Sequence, residues 1–591
     1  MLADRVAKIT LASIPRLLPP RVSDIPHSGP RPPMSIPLRP AHPLARLVLA
    51  LLPTLLLLAA GLRAQGGYLL QGTIVPMDRP PFEGYVLVRD SGIALVGAGA
   101  PPSEAASAVR VGITGVIYPG LLDSHNHPTY NVLPLWNAPR TYDNRYQWRR
   151  GEPGYATYVT RPYSRLRDTV RVSGQMAVWA EVRALAGGTT ALQGWGIRDA
   201  QQFGGDLARE VEAGNYGHPW AGGTAIDLPP GAVLGPKHDS IAALSPWILH
   251  LAEGRPGDPV SVRQADSLQL NRLLSPGVAV IHGTAVTMAQ FRAYAESGVS
   301  VTWSPISNGL LYGATTPVDS AWLAGVNVSI GSDWGPSGSK NLLGELKAAD
   351  LWNRAHGRPF SDSLLVAMVT VNPARALQWQ GWAGTVTQGK AADLVVLDRI
   401  RLDPYRNLIE ATERNVQLVF VGGRPVYGDA DVLAPLYAGG VETVGTLLGR
   451  AKALAPPATA SRPTFASVRD TLQRVFADTA LSLRTHLDPL FTATDTAFFG
   501  VLAAKAGSLT WLSGIVDYYR RPAATGAQST RAYARPDLSA PVTGVFPPNV
   551  EVTILEKVEV APGQWWALVA PGRDLIRVVG YVPVQELATG P

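Results

Sequence analysis

From about Gly120 to Trp379 the chain alternates short apolar runs of strand length with longer stretches of helical spacing, and no other feature restricts its fold as strongly. Such alternation predicts parallel strands joined by helical crossovers, an α/β architecture. The stretch 120–379 has the length of one (β/α)8 TIM barrel, for which about 250 residues is usual. On either side the texture changes. Between Tyr68 and Tyr118, β-type runs such as Tyr85-Val86-Leu87-Val88 and Ile93-Ala94-Leu95-Val96-Gly97 are divided by Gly, Pro and Asp turns. Short strands return at Gly384-Thr385-Val386, Ala392 to Asp398 and Val416 to Val426. Residues 66–119 and 380–429 are therefore expected to close into one small β-sandwich flanking a barrel over 120–379.

The remainder divides again. Ala455 to Pro463 is rich in Pro, Ala, Ser and Thr and reads as a linker, after which Phe465, Val468, Leu472, Val475, Phe476 and Thr479 follow helical spacing. A linker and helical segment is expected over 430–525. Residues 526–591 read as all-β, with Val550 to Leu555, Trp565 to Val569 and Val578 to Val582 bounded by Pro or Gly. This last stretch resembles a bacterial SH3-like domain through Arg535-Pro536, Trp565-Trp566 and Val579-Gly580-Tyr581-Val582.

A net charge of +7 would suggest an anionic partner, but the excess is local. Residues 1–64 hold eight Lys/Arg against two Asp/Glu, so the rest is close to neutral and no nucleic acid is expected. Arg39 and Arg46 precede the apolar run Leu47 to Leu62, followed by Ala64 and Gln65-Gly66-Gly67, the layout of a signal peptide. Residues 1–64 thus read as leader and signal peptide, with Met34 as the true start and export to the periplasm or exterior as the consequence. An uncleaved segment anchoring the chain in the membrane is the alternative. The chain has no cysteine, which removes disulfides, lipidation and thiolate ligands. Any metal must be held by His, carboxylate and water.

The barrel region carries the chemistry. Val116 to Pro128 ends an apolar strand in His125-Asn126-His127, and a period of two turns both imidazoles to one face. Alone such a pair is weak, because core or surface histidines account for most of them. Three further clusters repeat the pattern: Trp247-Ile248-Leu249-His250 with Glu253 three residues on, Val278-Ala279-Val280-Ile281-His282, and Val326 to Asp333 through a Gly-Ser turn. The spacings, 32 residues from His250 to His282 and 51 from His282 to Asp333, fit one and then two βα units. In such barrels the strand C-termini converge on one active site, so the clusters are expected to share it.

These motifs resemble the amidohydrolase superfamily, and within it the aminohydrolase branch that includes guanine deaminase and the chlorotriazine hydrolases. The resemblance runs from about Tyr68 to Asp429 and includes Ser304-Pro305-Ile306-Ser307-Asn308, Gly331-Ser332-Asp333 and Gly389-Lys390-Ala391-Ala392-Asp393. It implies that His125, His127, His250 and Asp333 bind one divalent metal ion, Zn2+ or Fe2+, and that Asp333 also takes a proton from the attacking water. It further implies that His282 holds that water or the substrate oxygen, and that Glu253 shuttles protons as an acid. Two-metal members use a carboxylated lysine as a bridge. The only lysine between His127 and His250 is Lys237, in a turn-like Gly-Pro-Lys-His-Asp stretch, so one ion is favoured.

The function implied is metal-dependent hydrolysis of a C–N bond in a nitrogen heterocycle, by deamination or cyclic amide opening. The alternative is a non-catalytic binding protein that keeps the fold and docks through its SH3-like tail. The expected partner is a small-molecule substrate. A cell-wall or protein partner through the tail, and homo-oligomer formation, stay open. His218 and His238 sit in Gly/Pro-rich loops and read as surface groups, whereas Tyr142 to Trp148 is equally suited to line a substrate pocket or to pack on the barrel rim. Trp195 and the Trp334-Gly335-Pro336-Ser337 turn adjoin the expected site.

Overall fold

Two parallel sheets supply the strand ends on which the site is built. In the computed structural model the described residues are 66–195, 207–213, 238–242, 246–458, 462–477, 496–505, 510–572 and 577–589. All belong to one unit, Arg63–Pro591. The expected leader, residues 1–64, lies outside them, as do His218 and Lys237. Among the described residues no helix is long and apolar enough to cross a membrane.

The first sheet contains β1 (Leu121–Asp123), β2 (Thr189–Leu192) and β3 (Arg209–Glu210). The second contains β4 (Trp247–Leu251), β5 (Val278–His282), β6 (Ser300–Trp303) and β7 (Asn327–Ile330), in that spatial order. All pairings are parallel, with His250 opposite Ile281 and Trp303 opposite Ile330. Strands buried on both faces read as unbroken apolar runs, which is why Trp247–Leu251 and Val278–His282 are buried throughout.

Just beyond β1 and β7 the two sheets meet. The Asp333 amide donates to the His125 carbonyl at 2.9 Å and the His127 amide to the Asp333 carbonyl at 2.7 Å. Below this bridge the hydroxyls of Ser124, Thr302 and Ser329 form a buried triangle with 2.9–3.2 Å sides, drawing β1, β6 and β7 around a common axis. Among the described residues these two sheets supply seven parallel strands, where the sequence predicts eight.

The flanking β-region is a single ten-stranded sheet. Val116–Pro119 lies at its centre between Leu394–Leu397 and Tyr68–Ile74, and leads within two residues into β1. The sheet also takes up Arg450–Leu454, which pairs with Arg424–Asp429, and Glu442–Leu447, which pairs with Arg450–Leu454 at the sheet edge. Residues 442–454 therefore belong to this sheet and not to the linker and helical segment expected over 430–525.

Helices follow at Phe465–Phe476 and Thr496–Lys505, and an antiparallel seven-stranded sheet spans Arg521 to Thr589. The C-terminal sheet is bonded into the body of the chain. Buried Glu556 meets Arg414 at 3.1 Å, the Tyr581 hydroxyl at 3.0 Å and the Asn415 amide, while the Glu559 amide donates to the Ile400 carbonyl at 3.0 Å.

Candidate metal centre and active site

The site grows from four strand ends. His125 and His127 follow β1, His250 lies in β4, His282 ends β5 and Asp333 follows β7. His282 (φ 69°) and Asp333 (φ 61°) adopt left-handed backbone conformations that non-glycine residues seldom hold. Both sharp turns are fixed by their surroundings, the pattern expected where strain serves function. Gly331 lets the two metal-facing motifs meet, because a Cβ there would lie 2.6 Å from the His125 Cβ.

Four donor atoms converge. His127 Nε2 and His250 Nε2 are 3.3 Å apart, His125 Nε2 and Asp333 Oδ1 3.3 Å, and His127 Nε2 and Asp333 Oδ1 3.6 Å. His125 Nε2 is buried with no hydrogen-bond partner. Ligands about 2.1 Å from a tetrahedral ion would lie about 3.4 Å apart; the three separations match that spacing, and the donors fall into two overlapping groups able to hold a cation, His125 with His127 and His250, and His125 with His282 and Asp333. Electrostatics agree. Burial lowers the basicity of His125, His127 and His250, His127 to about 3, which leaves imidazole lone pairs free to bind metal. Burial also pushes the Asp333 carboxyl well up, so its carboxylate needs a nearby cation.

One short helix, α1 (Pro305–Tyr312), orients most of the centre, and it explains the Ser-Pro-Ile-Ser-Asn motif. At its N-cap the Ser304 hydroxyl lies 3.1 Å from His125 Nδ1. Ser307 donates to Asp333 Oδ2 at 2.5 Å, and Asn308 Oδ1 sits 2.9 Å from His282 Nδ1. One turn on, the Tyr312 hydroxyl donates to Glu253 Oε1 at 2.5 Å. The helix start is pinned by buried Glu345, which accepts from the amides of Ile306 at 3.1 Å and Ser339 at 2.9 Å. Burial raises this carboxyl to about 8.

Two supporting residues are missing from the sequence reading. Asp123 accepts from the amides of His125 and Ser332, from the Asn126 side chain at 2.9 Å and from the Ser332 hydroxyl, locking both metal-facing turns together. Its signal was a carboxylate closing a wholly apolar run. The second is Arg145. The chain at 143–145 lies antiparallel to 253–255: the Arg145 amide donates to the Glu253 carbonyl at 3.2 Å and the Arg255 amide to the Asp143 carbonyl at 2.7 Å. This fixes the Arg145 guanidinium 3.0 Å from Glu253 Oε2, with both side chains under 10% exposed.

That pairing bears on the proton-shuttling role expected for Glu253. Burial alone would raise its carboxyl, but Arg145, His282 and the Tyr312 hydroxyl outweigh burial and hold it below the ordinary glutamate range. At neutral pH it rests as a carboxylate.

Above the centre a cavity of about 200 Å³ is walled by Tyr130, Trp148, Tyr155 and Trp334, with Arg145 and Arg149 beside them. The Tyr142–Trp148 segment therefore does both things considered for it: Arg145 and Trp148 face the cavity, whereas Tyr142 packs in the core. Trp195 is buried against Ala177, Ala180 and Ala184, away from the cavity lining. His238 bonds Asn271 and Asp239 and takes no part in the site.

The amidohydrolase family profile matches residues 260–426, a segment containing His282 and Asp333. The 5-methylthioadenosine/S-adenosylhomocysteine deaminase of Thermoanaerobacter pseudethanolicus is 32% identical over 152 residues, covering 23% of this chain and 34% of that protein. The deaminase of the same name from Symbiobacterium thermophilum is 25% identical over 413 residues, 61% of this chain and 92% of its own. The matches span about a third to just under a half of the length of the first curated relatives. A zinc-bound adenosine deaminase structure from Xanthomonas campestris is 20% identical with a TM-score of 0.46, covering 61% of this chain and 92% of that one.

Proposed function

We propose that the chain is a metal-dependent hydrolase that cleaves a carbon–nitrogen bond of a small nitrogen heterocycle. The observation that carries this reading is the gathering of His127, His250, Asp333, Glu253 and His282 on one cavity, with buried His125 joining His127 and His250 in one candidate metal group and His282 and Asp333 in another. The deaminases it is similar to break the same kind of bond. His125, His127, His250 and Asp333 would hold one Zn2+ or Fe2+, which this donor set suits. When bound, such an ion supplies Lewis-acid activation of water near neutral pH.

The chain's own groups do the rest. His282, its Nδ1 engaged by Asn308, presents Nε2 to the substrate oxygen or the water. In deamination the water oxygen bonds to the ring carbon, the carbon–nitrogen bond breaks and the amino nitrogen leaves as ammonia. Asp333 and Glu253 carry the two water protons, one to a ring nitrogen and one to the departing amine. In cyclic amide opening the same transfers protonate the ring nitrogen as its bond breaks. No observation favours the non-catalytic alternative.

Metal analysis of the purified chain, paired with an ammonia-release and ring-opening screen over nitrogen heterocycles, tests the proposal. Turnover that rises with metal content is expected. A metal-loaded chain inert across amino-heterocycles and cyclic amides would overturn it.

A further inference from the structure

The cavity walls say something about the substrate. The helix Arg145–Gly151 directs Arg145, Trp148 and Arg149 toward the cavity, positions i, i+3 and i+4 that share one helix face. The helix is fastened to the catalytic groups: Trp148 Nε1 donates to the Tyr312 hydroxyl at 2.9 Å, and that hydroxyl donates to Glu253. Its two arginines differ in circumstance. Arg145 is 7% exposed and paired with Glu253, so the charges of that pair offset each other. Arg149 is exposed at the cavity edge, and among the described residues it has no ion-pair partner.

The rest of the wall is aromatic. Trp148 and Tyr155 meet edge to face at 4.9 Å, Tyr130 and Trp334 at 5.3 Å, and Trp148 and Trp334 lie 6.1 Å apart. Such walls favour a flat ring. At about 200 Å³ the cavity falls below the roughly 300–1,000 Å³ usual for drug-sized ligands, so the ring is small. With Asp333 placed among the metal donors and Glu253 paired with Arg145, no acidic lining group among the described residues is left to answer Arg149.

We propose that this site takes a small planar ring bearing a carboxylate, and that Arg149 is the residue that recognises the carboxylate. The inference rests on reading this cavity as the substrate site. A guanidinium matches a carboxylate with two parallel hydrogen bonds, and the edge position of Arg149 lets it meet a carboxylate that projects from a ring held between the aromatic walls.

Nicotinate and nicotinamide, near in shape and different in charge, serve as probes. Their binding to the metal-loaded full chain is measured by titration calorimetry, for the unaltered protein and for Arg149→Gln and Arg149→Lys. The unaltered chain is expected to bind nicotinate about tenfold more tightly than nicotinamide. Arg149→Gln should bring that ratio close to one with metal content unchanged, and Arg149→Lys should restore part of it. A nicotinate preference that survives Arg149→Gln would mean that the ion or Arg145 holds the carboxylate, and overturns the proposal. So would equal binding of the two probes to the unaltered chain, or binding of neither at millimolar concentration. Because the readout needs no turnover, an Arg149-dependent preference in a chain that hydrolyses nothing would sink the hydrolase reading alone.

Discussion

Replacing Arg145 with Gln removes one partner of a buried ion pair and leaves Glu253 behind. Both side chains are under 10% exposed and 3.0 Å apart, so water cannot take over the lost interaction. Breaking such a pair typically costs about 3–5 kcal/mol, because an uncompensated charge stays buried. With Arg145 gone, the burial that now opposes ionisation of Glu253 is expected to dominate, and its carboxyl should rise. The sign of the pH dependence follows. A carboxyl held below its unfolded value, about 4.3 for glutamate, contributes stability above that pH and loses it as pH falls through the folded value. The deficit of Arg145→Gln should therefore be largest at high pH, shrink as pH falls through the variant's raised carboxyl value, above about 4.3, and level off once pH is below the depressed value of the unaltered chain. Urea unfolding of the unaltered chain, Arg145→Gln, Glu253→Gln and the double variant measures the coupling directly. The double variant, with two neutral amides, should be more stable than Arg145→Gln alone. Strictly additive losses would refute the claim that Arg145 neutralises Glu253.

Three further outcomes follow from the same contacts. Glu253→Gln leaves all four metal donors in place, so metal content should hold while turnover on a substrate found by screening falls about 10²- to 10⁴-fold. Gly331→Ala places a methyl 2.6 Å from the His125 Cβ, and should lower metal occupancy, read by elemental analysis, with little change in far-ultraviolet circular dichroism. Ending the chain after Asp429 strips Arg450–Leu454 from the flanking sheet, Phe465 from its stack on Trp179 at 5.9 Å, and Glu556 from Arg414. Such a chain should be recovered aggregated; a soluble, metal-loaded fragment would show these contacts to be dispensable.

What could be read from the sequence, and what could not, divides by locality. Each metal-facing residue closes an apolar run, so His125, His250, His282 and Asp333 announce themselves within a few positions of a strand. The parallel-strand and helix alternation is legible for the same reason. Arg145 is not, since its role exists only because 143–145 lies against 253–255, more than a hundred residues away. Gly254 permits that approach, as a Cβ there would fall 2.5 Å from the Asp143 carbonyl oxygen, yet a glycine after a glutamate carries no such message by itself. The strands at 442–454 were also hidden. Glu442-Thr443-Val444-Gly445-Thr446-Leu447 is half exposed and glycine-interrupted, and its place is set by pairing with Arg450–Leu454. Of the Ser-Pro-Ile-Ser-Asn motif, the sequence showed the presence, while the hydrogen bonds from Ser304, Ser307 and Asn308 to three different strand ends needed the fold.

The central claim is that one ion is held by His125, His127, His250 and Asp333. Elemental analysis of the full chain after exhaustive dialysis, compared with His127→Ala, tests it most directly. The unaltered chain should retain one equivalent of Zn2+ or Fe2+ per chain, and His127→Ala should lose most of it. Two tightly held equivalents, none at all, or an unchanged single equivalent in His127→Ala would contradict the account.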